Sequence, residues 1–205
     1  MDAPTNSVSS ARKATRSTSN APEDGRAGRL EQVLQLVRAK VAPKQRGLVE
    51  AFVPRYFGQV DPEDLADREP ADLYGAALSH CNFARKRAPD TARVRVFNPS
   101  VEEHGWQSTH TIVEIVNDDM PFLVDSVTME VNRHGLTLHL IIHPIVAVSR
   151  DVSGELVGLG DASDSKARGE SFIHVEVDRV TETVQLEHLT SDIARVLGEI
   201  GRAHV

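Results

Sequence analysis

Three carboxylates, those of Asp118, Asp119 and Asp125, cluster where a predicted helix begins. The first turn of a helix presents free backbone N–H groups and the positive end of the helix dipole, so acidic side chains are favoured there. Helix capping explains one of the three, Asp119 best, without any further function. The other two carboxylates could orient the amine of a ligand. The cluster is therefore either a ligand-orienting site or an ordinary helix start.

The sequence contains no complete nucleotide-binding motif. Residues 158–163 begin like a dinucleotide fingerprint, but this segment lacks the third glycine. It also lies in a predicted polar loop rather than between a strand and a helix, which the binding mechanism requires. No glycine-rich loop ends in Lys-Ser or Lys-Thr. A flexible loop is the favoured interpretation of residues 158–163.

Nine histidines raise the question of a metal site. His139 and His143 share one face of a predicted strand, but four strand residues span about 13 Å, too far for one metal with bonds of ~2 Å. A cross-strand set of His110, His139 and His174 is geometrically possible if the strand register allows it. The alternative is that these histidines make ordinary hydrogen bonds at a half-exposed sheet face. We predict no metal ligand.

Nucleophilic side chains are scarce. Cys81 is the only cysteine, has no CxxC companion and lies on a predicted helix, so it is predicted to be a structural thiol in a reducing, cytoplasmic compartment. Lys166 is the only lysine after Lys86, and it lies in the same polar loop, so there is no candidate for a buried catalytic lysine. We predict no catalytic residue; a small independent enzyme using Asp118, Asp125 and nearby histidines is the alternative.

The composition indicates a globular chain. It has 205 residues, of which 40% are hydrophobic and 26% charged. The net charge of -7 is uneven, because residues 89–205 contain nine bases and nineteen acids. Nucleic-acid binding depends on counterion release by Lys and Arg, so we expect no nucleic-acid partner. No run of about 18 apolar residues is present, and we expect no membrane span.

The spacing of apolar residues divides the chain into three predicted parts. Residues 1–28 contain a single large aliphatic residue, Val8, and are predicted to be a disordered tail. From Arg29 apolar residues recur at steps of three and four, and two acid-proline signals mark further helix starts. Residues 29–88 are therefore predicted to be a helical subdomain. Residues 89–205 are predicted to form one α+β domain.

In the third part the apolar period changes from 3.6 to 2, and the predicted order is strand, strand, helix, strand, strand, helix. From Thr109 onward this order makes five sixths of a ferredoxin-like split βαβ unit. The strand predicted at Arg93–Phe97 could fill the missing place, or a continuation beyond Val205 could supply it. The fold class is α+β, an antiparallel sheet with two helices on one face, preceded by a small helical subdomain.

Three details of this sheet are predicted. The apolar run from Leu136 to Val148 is expected to be one largely buried strand that Pro144 bends or places at an edge. Residues 150–169 are polar and hold four glycines, so they are expected to be a mobile excursion between strands. The sheet face without helices is expected to remain open for a partner.

Four blocks of the sequence resemble the N-terminal region of the large bacterial NAD-specific glutamate dehydrogenases. The longest covers residues 118–144 and begins DDMPFLVDS, and the others cover residues 73–80, 94–99 and 170–179. Together the resemblance extends over residues 29–205.

The resemblance implies that the catalytic dehydrogenase domain lies far downstream and that this chain is a fragment with an ACT-like fold and a regulatory or architectural role. The parent enzyme would oxidatively deaminate L-glutamate with NAD to 2-oxoglutarate and ammonium. NAD would bind in the parent enzyme, and no cofactor is expected in the fragment. The implied partners are the downstream domains, other subunits of the same enzyme and an amino-acid effector.

ACT domains carry an Asp-x-Pro-Gly turn between the first strand and the first helix, where the backbone holds an amino-acid ligand. Residues 119–122 match this turn, except that a phenylalanine stands in place of the glycine. Its benzyl group either fills the space by which a ligand approaches the main chain or lines a pocket differently. The implied ligand-binding residues are Asp118, Asp119, Met120, Pro121, Phe122, Asp125 and Ser126. Two functions remain open: a non-catalytic regulatory or assembly module, and a pure protein-interaction domain with no small-molecule ligand.

Overall fold

A computed structural model describes residues 21–160 and 167–203 of the chain. Seven helices and six strands lie in these two ranges. The helices are α1 (Ala21–Lys40), α2 (Pro43–Tyr56), α3 (Pro62–Ala66), α4 (Pro70–Phe83), α5 (Val101–His104), α6 (Leu123–Arg133) and α7 (Thr183–Ala203). The strands are β1 (Arg93–Phe97), β2 (Thr111–Asp118), β3 (Leu138–Ile142), β4 (Ile145–Arg150), β5 (Leu156–Leu159) and β6 (Arg168–Val177).

The acid-proline signals of the sequence begin helices, as predicted. The Asp61 side chain accepts a hydrogen bond from the backbone N–H of Glu63 and caps α3, and Pro70 opens α4. A proline in the first turn has no N–H to leave unsatisfied, and its fixed φ suits the helix. The left-handed Gly135, with φ of 72°, ends the α6 region as expected.

Helix α1 begins at Ala21 rather than at Arg29, so residues 21–28 are helical where the sequence predicted the end of a disordered tail. Hydrogen bonds to residues distant in sequence stabilise this N-terminal part of α1. Arg26 donates hydrogen bonds to the carbonyl oxygens of Gly58 and Val60, beyond the end of α2. Hydrogen bonds of this kind cannot be predicted from the spacing of apolar residues. The rest of the predicted tail, residues 1–20, lies outside the described residues.

The six strands form one antiparallel sheet in the order β1-β2-β6-β4-β5, with β3 also paired to β6. In a split βαβ unit, the fourth strand lies beside the first. Here β2, α6, the β3–β4 run, β6 and α7 make the unit, and β1 occupies the place of the fourth strand next to β2. The strand at Arg93–Phe97 therefore completes the α+β fold from the N-terminal side, which is the permuted arrangement.

The apolar run from Leu136 to Val148 breaks at Pro144 and is not the single strand that was predicted. It forms two strands, β3 and β4, which pair one after the other along the same edge of β6. Proline lacks the N–H that a continuous ladder requires. Its carbonyl oxygen still accepts a hydrogen bond from the N–H of Phe172.

Residues 150–169 are more ordered than predicted. Leu156–Leu159 form β5, which pairs with β4, and β6 already begins at Arg168. The prediction of a mobile excursion is therefore wrong for the residues of these two strands. The glycines there do not break the ladder, and Gly158 lies opposite Ser149. Residues 161–166, which include Lys166 and the second half of the incomplete glycine motif, lie outside the described residues.

The sheet is covered on both faces. Helices α6 and α7 pack on one face through a cluster that includes Val113, Ile173 and Ile193. The other face packs against α1, α2 and α4 in a second cluster that includes Phe52 and Phe172. The expected open face is therefore wrong, because the apolar sides of the N-terminal helices are buried against it. None of the described helices is long and apolar enough to cross a membrane.

Candidate functional site

The turn between β2 and α6 holds the residues predicted to bind a ligand. Phe122 immediately precedes α6 in the left-handed conformation, with φ of 68° and ψ of 9°, and its side chain is 66% exposed. Its carbonyl oxygen accepts a hydrogen bond from the backbone N–H of Ser126 in the first helical turn. A phenylalanine thus adopts the backbone conformation that glycine favours, in the place where the resembled turn has glycine.

Asp119 does not cap the helix. Its carboxylate accepts a hydrogen bond of 2.7 Å from the hydroxyl of Ser171, on β6, and its backbone N–H donates to the carbonyl oxygen of Gly169. The capping position belongs to Phe122, whose side chain cannot accept a hydrogen bond. The capping interpretation of Asp119 is therefore wrong, because the turn is long enough to bring this carboxylate to the neighbouring strand.

Asp118, at the end of β2, belongs to a buried ion cluster. Nη2 of Arg87 lies 2.6 Å from Oδ1 of Asp118 and 2.7 Å from Oε1 of Glu170, which is opposite Asp118 in the β2–β6 ladder. Arg150 donates two further hydrogen bonds to the two Glu170 oxygens. Charged groups are buried only when they are paired and hydrogen-bonded. This cluster links the segment after α4 to the sheet. Within it, Asp118 already has a cation partner, Arg87.

A cavity of about 440 Å³ lies beside this turn, between the end of β2 and the C-terminal part of α7. Asn117, Asp118, Met120 and Arg202 are among its lining residues. The side-chain nitrogen of Asn117 is buried and has no hydrogen-bond partner among the residues that the structure describes. An amide, a carboxylate and a guanidinium group are therefore among the polar groups that line this cavity.

The structure separates the seven predicted ligand-binding residues. Asp118 and Met120 line the cavity at α7, and Asp119 is turned to β6. Asp125 is exposed in the first turn of α6. The cavity's lining residues do not include Asp119, Pro121, Phe122, Asp125 or Ser126.

A second group of polar side chains lies between the N-terminal helices and the sheet. Glu114 and His174 face each other in the β2–β6 ladder and are 0% and 1% exposed. His80, on α4, is also fully buried, and its Nδ1 lies 3.0 Å from the hydroxyl oxygen of Tyr56. Burial raises the pKa of Tyr56, and burial together with the nearby His174 ring lowers the pKa of His80. Both groups are therefore neutral at physiological pH.

Two arginines balance the carboxylates of this second group. Nε of Arg95, on β1, donates to Oε2 of Glu114 at 2.7 Å. Burial raises the pKa of Glu114, and Arg95 opposes that shift. Arg68 makes two hydrogen bonds of 2.5 and 2.8 Å to Glu176. Burial disfavours ionisation of Glu176, but the His174 ring 3.6 Å away and Arg68 outweigh it and lower its pKa to about 2.

A cavity of about 450 Å³ opens beside these residues, and Arg68, Trp106, His174 and Glu176 are among its lining residues. Acidic side chains of the α3–α4 connection and of α4 also line this cavity. Among them is Asp72, whose pKa is raised by burial and by the neighbouring Glu69. The cavity is therefore lined by groups of both charges.

The predicted set of His110, His139 and His174 does not form one cluster. The rings of His110 and His139 stack with centroids 4.4 Å apart, and Nε2 of His139 lies 2.8 Å from a carboxylate oxygen of Asp178. His174 is grouped instead with His80 and Glu114. The pairing of β3 with β6 is irregular between Leu138 and Leu140, and the spacing of residues in the sequence does not reveal this shift of register.

Cys81 is buried and makes no disulfide. Burial raises the pKa of its thiol to about 12, so the reactive thiolate is rare at neutral pH. A structural thiol is what the sequence predicted.

Comparison with known proteins identifies the family to which the chain belongs. The family model described as "Glutamate dehydrogenase, ACT1 domain" matches residues 52–193. The chain belongs to this family. The NAD-specific glutamate dehydrogenase of Halomonas elongata is 40% identical over 185 residues, which are 89% of this chain and 12% of that protein. The enzyme of the same name from Pseudomonas aeruginosa is 40% identical over 154 residues, 74% of this chain and 10% of that protein.

A more distant NAD-specific glutamate dehydrogenase, from Mycobacterium tuberculosis, is 24% identical over 163 residues. The ACT1 chain therefore spans about a tenth of the length of the curated relatives it matches. The family match begins inside α2 and ends inside α7, so it takes in α4 as well as the sheet. Both cavities of the ACT1 chain draw lining residues from the matched range.

Sequence reasoning missed the buried polar group of the ACT1 domain. The residues concerned are Arg68, His80, Arg95, Glu114 and Glu176, and Arg87 and Glu170 of the ion cluster at Asp118 were missed as well. One signal was present: Glu114 interrupts the apolar run of β2, and His174 and Glu176 alternate with valines in β6. Charged side chains in strands that are otherwise apolar on both faces must find buried partners. Their partners on α4 and in the α3–α4 region are distant in sequence and could not be named.

Proposed function

We propose that this ACT1 domain is a non-catalytic regulatory module of an NAD-specific glutamate dehydrogenase, with NAD and the oxidative deamination of glutamate belonging to other parts of the parent enzyme. The domain would act on its partners, the downstream domains and other subunits, in the cytoplasm. The match to only about a tenth of each relative supports a modular role.

The observation that carries the proposal is the cavity beside the β2–α6 turn. A free amino acid has a carboxylate and an ammonium group a few ångströms apart. The amide of Asn117 and the guanidinium of Arg202 suit the carboxylate, and the Asp118 carboxylate, whose Oδ1 also holds Arg87, suits the ammonium group. A volume of about 440 Å³ suits a small polar molecule. An amino-acid effector would contact both the end of β2 and α7. It would thereby restrict the movement of α7 relative to the sheet.

Titration calorimetry of the purified chain with single amino acids tests this proposal. We expect heat of binding for at least one of them, with the binding weakened at least about tenfold in Arg202→Gln, because one charge-assisted hydrogen bond is lost. Arg195→Gln is the matched control, since Arg195 is an exposed arginine of the same helix that pairs with Asp192 and Glu199. Equal loss in both variants, or no heat with any amino acid, would contradict an effector site here.

The second candidate is an assembly domain without a small-molecule ligand. It is favoured by exposed apolar side chains at Phe122, Ile145 and Val157, which are 66%, 54% and 63% exposed. The strand β5, which carries Val157, is at an edge of the sheet. Edge strands with exposed apolar groups pair readily with other chains. Sedimentation of the chain distinguishes the two: a stable dimer, together with no heat from any amino acid, leaves assembly as the function.

A further inference from the structure

The buried polar group between the N-terminal helices and the sheet contains three possible metal ligands. One side-chain ligand atom from each of His80, Glu114 and His174 lies within 4.8 Å of the other two. The three residues come from different elements, α4, β2 and β6, and each is at most 1% exposed. Their position does not depend on the turn or the cavity proposed above to hold an effector.

Three polar atoms in this group have no hydrogen-bond partner within residues 21–160 and 167–203. They are Nδ1 and Nε2 of His174 and Oε1 of Glu114. Nearly all buried polar atoms in proteins are satisfied, and an exception at a cluster of donors indicates an ion or a water that occupies the space between them. The nearest carboxylate to His174, that of Glu176, is 3.6 Å away and already holds Arg68. Nε2 of His174 therefore lies on the side of Glu176, and Nδ1 of His174 and Oε1 of Glu114 are the atoms left for an ion.

We propose that His80, Glu114 and His174 form a binding site for a divalent transition-metal ion of the zinc class. Two imidazoles and one carboxylate, with no thiolate, make a set of three protein ligands that zinc accepts with a water in the fourth position. Donor atoms around one zinc ion lie about 3.3 Å apart for bonds of ~2 Å, so the three side chains must draw together by up to about 1.5 Å.

The groups behind these ligands support the assignment. Oε2 of Glu114 is held by Arg95, which leaves Oε1 directed elsewhere. Nε2 of His80 lies 3.1 Å from the carbonyl oxygen of Ile115, and since a carbonyl only accepts, this nitrogen carries the proton. Histidine ligands of metals typically donate their second nitrogen to such a carbonyl, which fixes the tautomer. Nδ1 of His80 then keeps its lone pair, and the ion displaces the hydroxyl of Tyr56 from it.

An ion can reach this group through the cavity of about 450 Å³, because His174 is one of its lining residues. A second cluster of similar composition, Glu130, His134 and Asp192, provides a contrast. Its carboxylates are already held by Arg133, and His134 lies 3.0 Å from Asp192. Its donors have partners, so we assign no metal to it.

The test uses the complete chain with any histidine tag removed. The protein is incubated with excess zinc chloride, desalted and analysed for metal by mass spectrometry. We expect about one zinc per chain. His174→Gln should lose at least nine tenths of this zinc, whereas the control His134→Gln should retain it. Absence of retained zinc in the unmodified chain means that water fills the space, and equal retention in both variants places the ion elsewhere; either result overturns the proposal.

Because His174 is in the core, circular dichroism must show that His174→Gln is folded. A second measurement does not depend on that variant. Crystals of the unmodified chain grown with zinc should give one anomalous-scattering peak between His80 and His174. A peak at Glu130 and His134 instead, or no peak, would refute the assignment.

Discussion

Nη2 of Arg87 lies 2.6 Å from a carboxylate oxygen of Asp118, and Arg87 is 3% exposed. One of the acids expected to hold a ligand amine is thus partly neutralised by a buried cation of the same chain. The same nitrogen also contacts Glu170, so the end of β2, the start of β6 and the segment after α4 meet at one guanidinium.

The first prediction concerns this arginine. Arg87→Met should lower the free energy of unfolding by about 3 kcal/mol, because removing one member of a buried ion cluster leaves uncompensated charge. We expect a loss near the lower end of the range that is usual for breaking a buried ion pair, because Glu170 keeps its ion pair with Arg150. Urea denaturation followed by circular dichroism measures it. Arg38→Met, which removes surface ion pairs to Glu31 and Glu50, should have a much smaller effect. Equal losses would show that the cluster contributes no more than a surface pair.

Phe122→Gly should raise the free energy of unfolding by about 0.5–1 kcal/mol. A left-handed conformation costs an L-residue about 1–2 kcal/mol, and this exceeds the extra chain entropy of glycine, about 0.5–1 kcal/mol. Little burial is lost, since the side chain is 66% exposed. Phe122→Ala is the control: it removes the benzyl group but keeps the strained backbone, so it should give no gain. A glycine variant no more stable than the alanine variant would disprove backbone strain at this turn.

The ion pair between Glu176 and Arg68 makes the free energy of unfolding depend on pH. Its pKa is about 2 in the folded chain against 4.5 for a free glutamate, so its contribution is complete above about pH 5 and is lost as the pH falls towards 2. The contribution is about 3 kcal/mol. Urea midpoints measured from pH 7 to pH 2.5 should therefore fall less steeply in Glu176→Gln than in the unmodified chain. Glu187→Gln, at an exposed position of α7, should leave the slope unchanged.

A matched pair of glycines tests the packing of the helical layer. A Cβ on Gly75, in α4, would lie 2.2 Å from Cβ of Trp106, so Gly75→Ala should cost about 2–3 kcal/mol. Trp106 is the only tryptophan, and its fluorescence should shift to longer wavelength as it is displaced. Gly47→Ala, at an exposed position of α2 with open space around it, should instead raise the free energy of unfolding by about 0.5–1 kcal/mol. Destabilisation by both changes would argue against this close approach.

Much of the secondary structure could be predicted from local patterns. The caps at Asp61 and Pro70, the alternation in β1, the bend at Pro144 and the left-handed Gly135 all depend on residues close in sequence. Long-range pairing could be stated only as alternatives. The position of β1 beside β2 was one of two choices for the missing strand, because both orders satisfy the same hydrophobic pattern.

The candidate sites were harder to predict, since each depends on partners distant in sequence. The Asp118 carboxylate was recognised, but Arg87 was not, and the pairing decides what Asp118 can bind. His174 was named as a candidate ligand, yet with His110 and His139 rather than His80 and Glu114. A helix packed on the sheet supplies His80, and nothing in the local sequence of α4 distinguishes that histidine from a core residue.

Strand β6 is the shared neighbour of β2, β3 and β4. When only the residues up to 160 have emerged from the ribosome, those three strands are exposed with no common partner. The β1–β2 and β4–β5 hairpins can form by then, but they have nothing to join them. Closure of the sheet must therefore wait for the last quarter of the chain to emerge, and until then the nascent polypeptide exposes strand edges that a chaperone would have to shield.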